Sequence, residues 1–334
     1  MKGLVKMVFS LFMLMHLAFS GVIAGSLIPN NSSTNLAVNV TEPRIVNGTN
    51  ASLEEAPYFT LLLTNGNQLA GCGGSLITPC HVLTAAHCIR SQRAISHVLV
   101  GVRTPWSSQS SLGRKTHYSA VSSIIKHPLF SSSLNANDIA ILNLESCVDG
   151  SDIQPVKLAE STGDLVNFSL EGEVLKAYGF GQLEEGGEVQ VETLQVADLP
   201  FIDREACLLS YANLADDAIC AGYPEGGTDT CQGDSGGPLV RLDDVKQEHT
   251  LVGITSWGVG CARANYPGVY ASVAYARDYI VEEICAQEGR EDFALCTPPE
   301  PVLPKRKTPP KCKGQKNKMA GTRGGAAGRR CRGQ

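Results

Sequence analysis

Ser235 sits in the run Asp229-Thr230-Cys231-Gln232-Gly233-Asp234-Ser235-Gly236-Gly237-Pro238. A serine among glycines can occupy a tight turn, where its hydroxyl and the neighbouring N–H groups converge on one substrate atom, as acyl transfer demands. A hydroxyl is a weak nucleophile at neutral pH, so the same chemistry needs a base and a carboxylate to orient that base. Leu83-Thr84-Ala85-Ala86-His87-Cys88 supplies His87, and Asn137-Asp138-Ile139-Ala140-Ile141-Leu142 supplies Asp138. No Asp or Glu occurs between Glu55 and Asp138, which leaves Asp138 as the one orienting carboxylate in that stretch. It also borders an apolar run, where an unpaired charge is costly. His16, His81, His97, His117, His127 and His249 stand in no comparable motif.

The elements that must carry these residues read as strands. Short apolar runs at Phe59–Leu63, His97–Val100, Ser119–Ile125 and Ile139–Leu144 alternate with Gly, Ser and Asn turns. The pattern recurs after residue 170, most clearly at Glu173–Tyr178, His249–Thr255 and Gly268–Val273. Together with 34 glycines and 18% charged residues, this predicts an all-β fold long enough to bury a sizeable core. Tyr275, Tyr279, Ile280 and Ile284 have helical spacing and predict one closing helix over 273–287.

Three motifs in the order His, Asp, Ser resemble those of the trypsin-like serine proteases of the chymotrypsin fold, and the resemblance spans Ile45 to Gln287. It implies two six-stranded Greek-key barrels packed face to face, with His87 and Asp138 from the first and Ser235 from the second. Ser235 would attack the scissile carbonyl, His87 would carry the proton, Asp138 would hold the imidazole, and the Gly233 and Ser235 N–H groups would bind the oxyanion. Asp229, six residues before the nucleophile, would floor the primary pocket. Ser256, Trp257, Gly258 and Gly268 would wall it, with the two glycines leaving room for an Arg or Lys stem. The backbone from Ser256 to Gly258 would pair with the substrate as an added strand. Ile45-Val46-Asn47-Gly48 resembles the family's activation junction: cleavage between Arg44 and Ile45 would free an ammonium to pair with Asp234.

The resemblance also implies the disulfides Cys72–Cys88, Cys207–Cys220 and Cys231–Cys261. Cys80 and Cys147 have no partner in the commonest family pattern but both fall on the first barrel, so they are paired with each other; Cys285, Cys296, Cys312 and Cys331 stay open. Leu175 and Arg241 occupy the places of a frequent family disulfide, and the nearby turn reads Gly179-Phe180-Gly181. Neither metal nor cofactor is expected: residues 102–137, where many members bind calcium, hold no carboxylate, and Pro267 replaces the tyrosine of sodium-regulated members. An α/β-hydrolase is excluded, since the serine motif is not Gly-x-Ser-x-Gly and the triad order differs. A catalytically silent binding homologue would be expected to have lost a triad residue. The expected partners are protein or peptide substrates with Arg or Lys at the cut, protein protease inhibitors, and no second subunit.

Residues 1–24 combine Lys2 and Lys6 with a short apolar run and small residues to Gly25, the pattern of a secretory signal peptide. Residues 25–44 are polar and read as a propeptide. Twelve cysteines and sequons at Asn30, Asn31, Asn39, Asn47, Asn50 and Asn167 fit secretion through an oxidising compartment. Residues 288–334 turn Pro-rich and then basic, a composition that denies a packed core and predicts a disordered tail suited to an anionic surface. The net charge of −5 conceals this division, because residues 301–334 hold eleven Lys or Arg and no acid.

Overall fold

A computed structural model of the chain describes residues 45–297 except 53, 91–93, 105–115, 151, 161–172, 188–192 and 288–292. The leader, the propeptide, Arg44 and residues 298–334 therefore lie outside the described residues. Fourteen strands are described, beginning with β1 (Thr49–Asn50). A first barrel is built from β2 (Phe59–Thr64), β3 (Gln68–Thr78), β4 (His81–Thr84), β5 (Ile95–Val100), β6 (His117–Lys126) and β7 (Ala140–Leu144). It closes in the order β2-β3-β4-β7-β6-β5, every neighbour antiparallel.

After β8 (Lys157–Leu158), which runs parallel to β13, the second barrel uses β9 (Val174–Gly179), β10 (Gln195–Ile202), β11 (Ala218–Ala221), β12 (Pro238–Asp243), β13 (Glu248–Trp257) and β14 (Gly268–Ser272). The path β10-β11-β14-β13-β12-β9 is closed by pairing of β9 with β10. Closure leaves no long unpaired edge. Each barrel fills its interior from alternate strand residues, such as Leu62, Leu76 and Leu142 in the first and Leu175, Leu239 and Tyr270 in the second, all fully buried. The two barrels and the closing helix Val273–Cys285 are as expected, and Ser272 caps that helix by accepting from the Tyr275 N–H.

A second helix, Arg204–Ser210, was not foreseen; seven residues carry too little periodicity, but Asp203 caps it through the Ala206 N–H. The apolar runs read from the sequence also did not include β3, β4, β10, β11 or β12. Gly74 belongs to β3 because a Cβ there would lie 2.8 Å from Val82 Cγ1 and 3.1 Å from the Leu83 carbonyl. Residues 293–297, grouped with the tail by composition, fold back after the closing helix: Cys285 bonds Cys296, and Phe293 and Leu295 pack on the first core.

The structure contains all four expected disulfides as well as Cys285–Cys296. Cys80–Cys147 closes the longest loop, with a separation of 67 residues. Cross-linking a loop of that length restricts the unfolded chain by an entropy worth about 4 kcal/mol in the loop-closure model. Replacing both cysteines by serine should lower unfolding free energy by about 2–4 kcal/mol, read from the denaturant midpoint; an unchanged midpoint would contradict the assignment of this bridge as structural.

Candidate active site at the barrel junction

His87 lies in a single 3₁₀ turn, Ala86–Cys88, directly after β4. Cys72 on β3 is bonded to Cys88, which fixes the turn against the barrel wall. Asp138 precedes β7, the strand paired with β4, so the two residues emerge side by side at one end of the barrel. Asp138 is 1% exposed. Its Oδ2 accepts from His87 Nδ1 at 2.7 Å and its Oδ1 from the His87 backbone N–H at 2.8 Å. The Ser256 hydroxyl, from β13 of the second barrel, also donates to Asp138 Oδ2 at 2.5 Å.

Burial by itself would push the Asp138 carboxyl up. The hydrogen bond and charge of His87, the Ser256 hydroxyl and the His87 N–H outweigh that cost and hold it below the ordinary carboxylate range. The sequence reading made Ser256 a wall of the pocket and part of the substrate-pairing backbone, with no link to Asp138. Its hydroxyl could not be tied to Asp138 from the sequence, because 118 residues separate them.

Ser235 reaches the same place from the second barrel. Its carbonyl accepts from the Gly73 N–H at 2.8 Å, and the Cys88 Sγ stands 3.7 Å from that carbonyl and 3.8 Å from His87 Nε2. Gly236, at φ 78, could carry no side chain: a Cβ would meet Thr84 Oγ1 at 2.3 Å and the Gly73 carbonyl at 2.5 Å. Gly233 takes φ 104, and its missing Cβ lets the Gly181 Cα approach. Within the turn the Asp234 N–H donates to Cys231 O and the Gly237 N–H to Asp234 O, while the Gly233 and Ser235 N–H groups have no acceptor among the described residues.

Asp229, Ser235, Ser256, Trp257, Gly258 and Gly268 all line one cavity of about 180 Å³. Asp229 is 4% exposed. Its Oδ2 accepts from the Ala262 N–H at 3.0 Å, and its Oδ1 is buried with no hydrogen-bond partner. Burial, opposed by the Ala262 N–H, pushes the carboxyl up to about 6. A Cβ on Gly268 would sit 2.8 Å from Asp229 Oδ1 and close the cavity floor.

Asp234 does not line that cavity and is 1% exposed. It accepts from the Gly181 N–H at 2.7 Å and the Cys231 N–H at 2.8 Å, and burial lifts its carboxyl to about 7 against those two donors. The Gly179-Phe180-Gly181 turn now has a reason, since a Cβ on Gly179 or Gly181 would overlap the Asp234 carboxylate. Ile45 is fully buried in the second core, and Val46 bridges to Asp229. Among the described residues, Cys72, His87 and Cys88 form the one group with metal-ligand spacing, but the two sulfurs share a disulfide and supply no thiolate.

A carboxyl held low contributes stability above its ordinary value near pH 4 and loses that contribution as pH falls further. Ser256→Ala should therefore cost about 1.5–3 kcal/mol at neutral pH, and its gap from the wild type should narrow below about pH 4. Denaturant titrations at both pH values test this; a gap independent of pH would mean that the hydroxyl does not act on the ionised carboxylate.

Comparison with known proteins agrees with this geometry. The family description Trypsin matches residues 45–280. The chain is 40% identical over 243 residues to Trypsin 5G1 of Aedes aegypti, covering 72% of this chain and 84% of that protein. It is 38% identical over 245 residues to Trypsin of Saccharopolyspora erythraea, covering 72% and 99%, and 35% identical over 250 residues to a vitellin-degrading protease of Bombyx mori, covering 72% and 86%. With two closed barrels, a serine turn and a histidine–aspartate pair at their junction, the chain belongs to the trypsin family of serine endopeptidases.

Proposed function

We propose that the protein is a secreted endopeptidase that cuts after Arg or Lys and is made as a zymogen activated between Arg44 and Ile45. The observation that carries the specificity is the buried, unpartnered Oδ1 of Asp229 at the floor of the cavity that Ser235 also lines. A buried acceptor without a donor is costly, and a guanidinium or ammonium entering the cavity would satisfy it. His87, Asp138 and Ser235 act as base, orienting carboxylate and nucleophile, forming and then hydrolysing an acyl-enzyme. The Gly233 and Ser235 N–H groups, without acceptors among the described residues, bind the oxyanion.

Zymogen activation is supported by Ile45. It takes φ 57, a left-handed conformation that strains a β-branched residue. Because φ is defined by the preceding carbonyl carbon, cutting the Arg44–Ile45 bond removes that strain. The same cut creates an ammonium, the ion that the buried Asp234 carboxyl lacks among the described side chains. Five disulfides favour an oxidising compartment. Protein inhibitors would present Arg or Lys to the same pocket, and the basic residues of 301–334 suit an anionic surface.

Cleavage profiling of the activated protein on a random peptide library should give Arg and Lys before the cut. Asp229→Ser should lower that preference by roughly one to two orders of magnitude, and survival of the preference would remove Asp229 from the pocket. Because the Asp229 carboxyl protonates as pH falls through about 6, affinity for a small arginine-like cation should weaken across that range in the wild type and stay flat in Asp229→Ser. For activation, Ser235→Ala precursor mixed with a trace of active enzyme should yield a chain beginning at Ile45, and persistence of intact precursor would refute self-processing.

A further inference from the structure

We infer that Asp217 is a positioning residue for Asp138, acting across the barrel junction through the Asn137 N–H. The inference rests on the role proposed above for Asp138. Asp138 is the central residue of a three-residue turn, in which the Ile139 N–H donates to the Asn137 carbonyl at 2.8 Å. Asn137 enters that turn at φ 52, a left-handed conformation that asparagine tolerates. Within the first barrel the turn is flanked by the Ser131–Ala136 bridge and by the His127 N–H donating to the Ile139 carbonyl at 3.0 Å. The Asn137 side chain holds one side, donating to the Leu129 carbonyl at 3.3 Å.

The other side is held by the second barrel. The Asn137 backbone N–H donates to the Asp217 carboxylate. Asp217 is 6% exposed and its own backbone is fixed, because its carbonyl accepts from the Ser272 N–H at 2.7 Å at the cap of the closing helix. A charged acceptor on a fixed frame therefore sets the height and tilt of the turn whose next side chain is the Asp138 carboxylate. Together with Ser256, which donates to that carboxylate directly, it gives the second barrel two independent grips on the first barrel's acid. Asp216, the adjacent acid, is exposed and pairs with Arg204 at 2.8 Å.

The test compares Asp217→Ala, Asp217→Asn and Asp216→Ala in the activated full-length chain, with rates per titrated active site so that misfolded protein does not count. Displacing a reacting group by a fraction of an ångström costs rate more than binding. Asp217→Ala should lower kcat on a small arginyl ester by about 10- to 100-fold with KM changed less than about twofold. Asp217→Asn keeps an oxygen acceptor for the same N–H and should restore kcat to near the wild-type value, and Asp216→Ala should match the wild type. The NMR resonance of the proton between His87 Nδ1 and Asp138, to be recorded in each variant, should be kept in Asp217→Asn and shifted or lost in Asp217→Ala. Unchanged kcat in Asp217→Ala, failure of Asn to rescue, or a fall in kcat with that resonance unmoved would each overturn the inference. If the wild type itself hydrolyses no ester, the proposed function fails, whereas the NMR comparison still decides the role of Asp217.

Discussion

A carboxylate buried between two barrels has to be compensated from both of them, and Asp138 is compensated in that way. Taken out of water, an ionised carboxylate costs several kcal/mol even after relaxation. Two His87 donors come from the strand pair of the first barrel and one Ser256 hydroxyl from the second. Donors from both barrels act on the one carboxylate, so their packing and the charge of the site are one problem. The contact between Gly73 and Ser235, and the glycine at 236 that permits it, bring the serine to the same junction for want of any side chain in the way.

Three of the buried aspartates, Asp138, Asp229 and Asp234, differ in how far their desolvation is offset. Asp138 has three donors and lies below its ordinary range. Asp229 keeps one oxygen without a donor and rises to about 6, while Asp234, with two N–H donors in full burial, rises to about 7. The ordering follows from donors supplied against solvent lost. It separates an acid held below its ordinary range beside His87 from two acids left short of positive charge, one facing an open cavity and the other the interior near the serine turn.

Legibility in the sequence followed the range of the interactions. Strand period, the glycine-flanked serine and the histidine and aspartate motifs are local, and they marked the barrels and the residues now found at the junction. What escaped the sequence was non-local. The reason for a glycine at 74 is a neighbouring strand, since a Cβ there would meet Val82 and Leu83. Gly179 and Gly181 gained a purpose only from the Asp234 carboxylate more than fifty residues on. The hydroxyl of Ser256 and the carboxylate of Asp217 have no sequence pattern linking them to residues 137 and 138.

The sequence by itself determined the fold class, the family and which side chains have the chemistry for acyl transfer, because residue type and short spacing carry that information. The tertiary structure alone decided which oxygens and N–H groups find partners, since pairing at 2.5–3.0 Å depends on strands from two barrels meeting in register. The lone acceptor of Asp229 and the three donors on Asp138 are consequences of that meeting. A chain read in one dimension names the acids; desolvation and hydrogen-bond supply at the folded junction give each its charge.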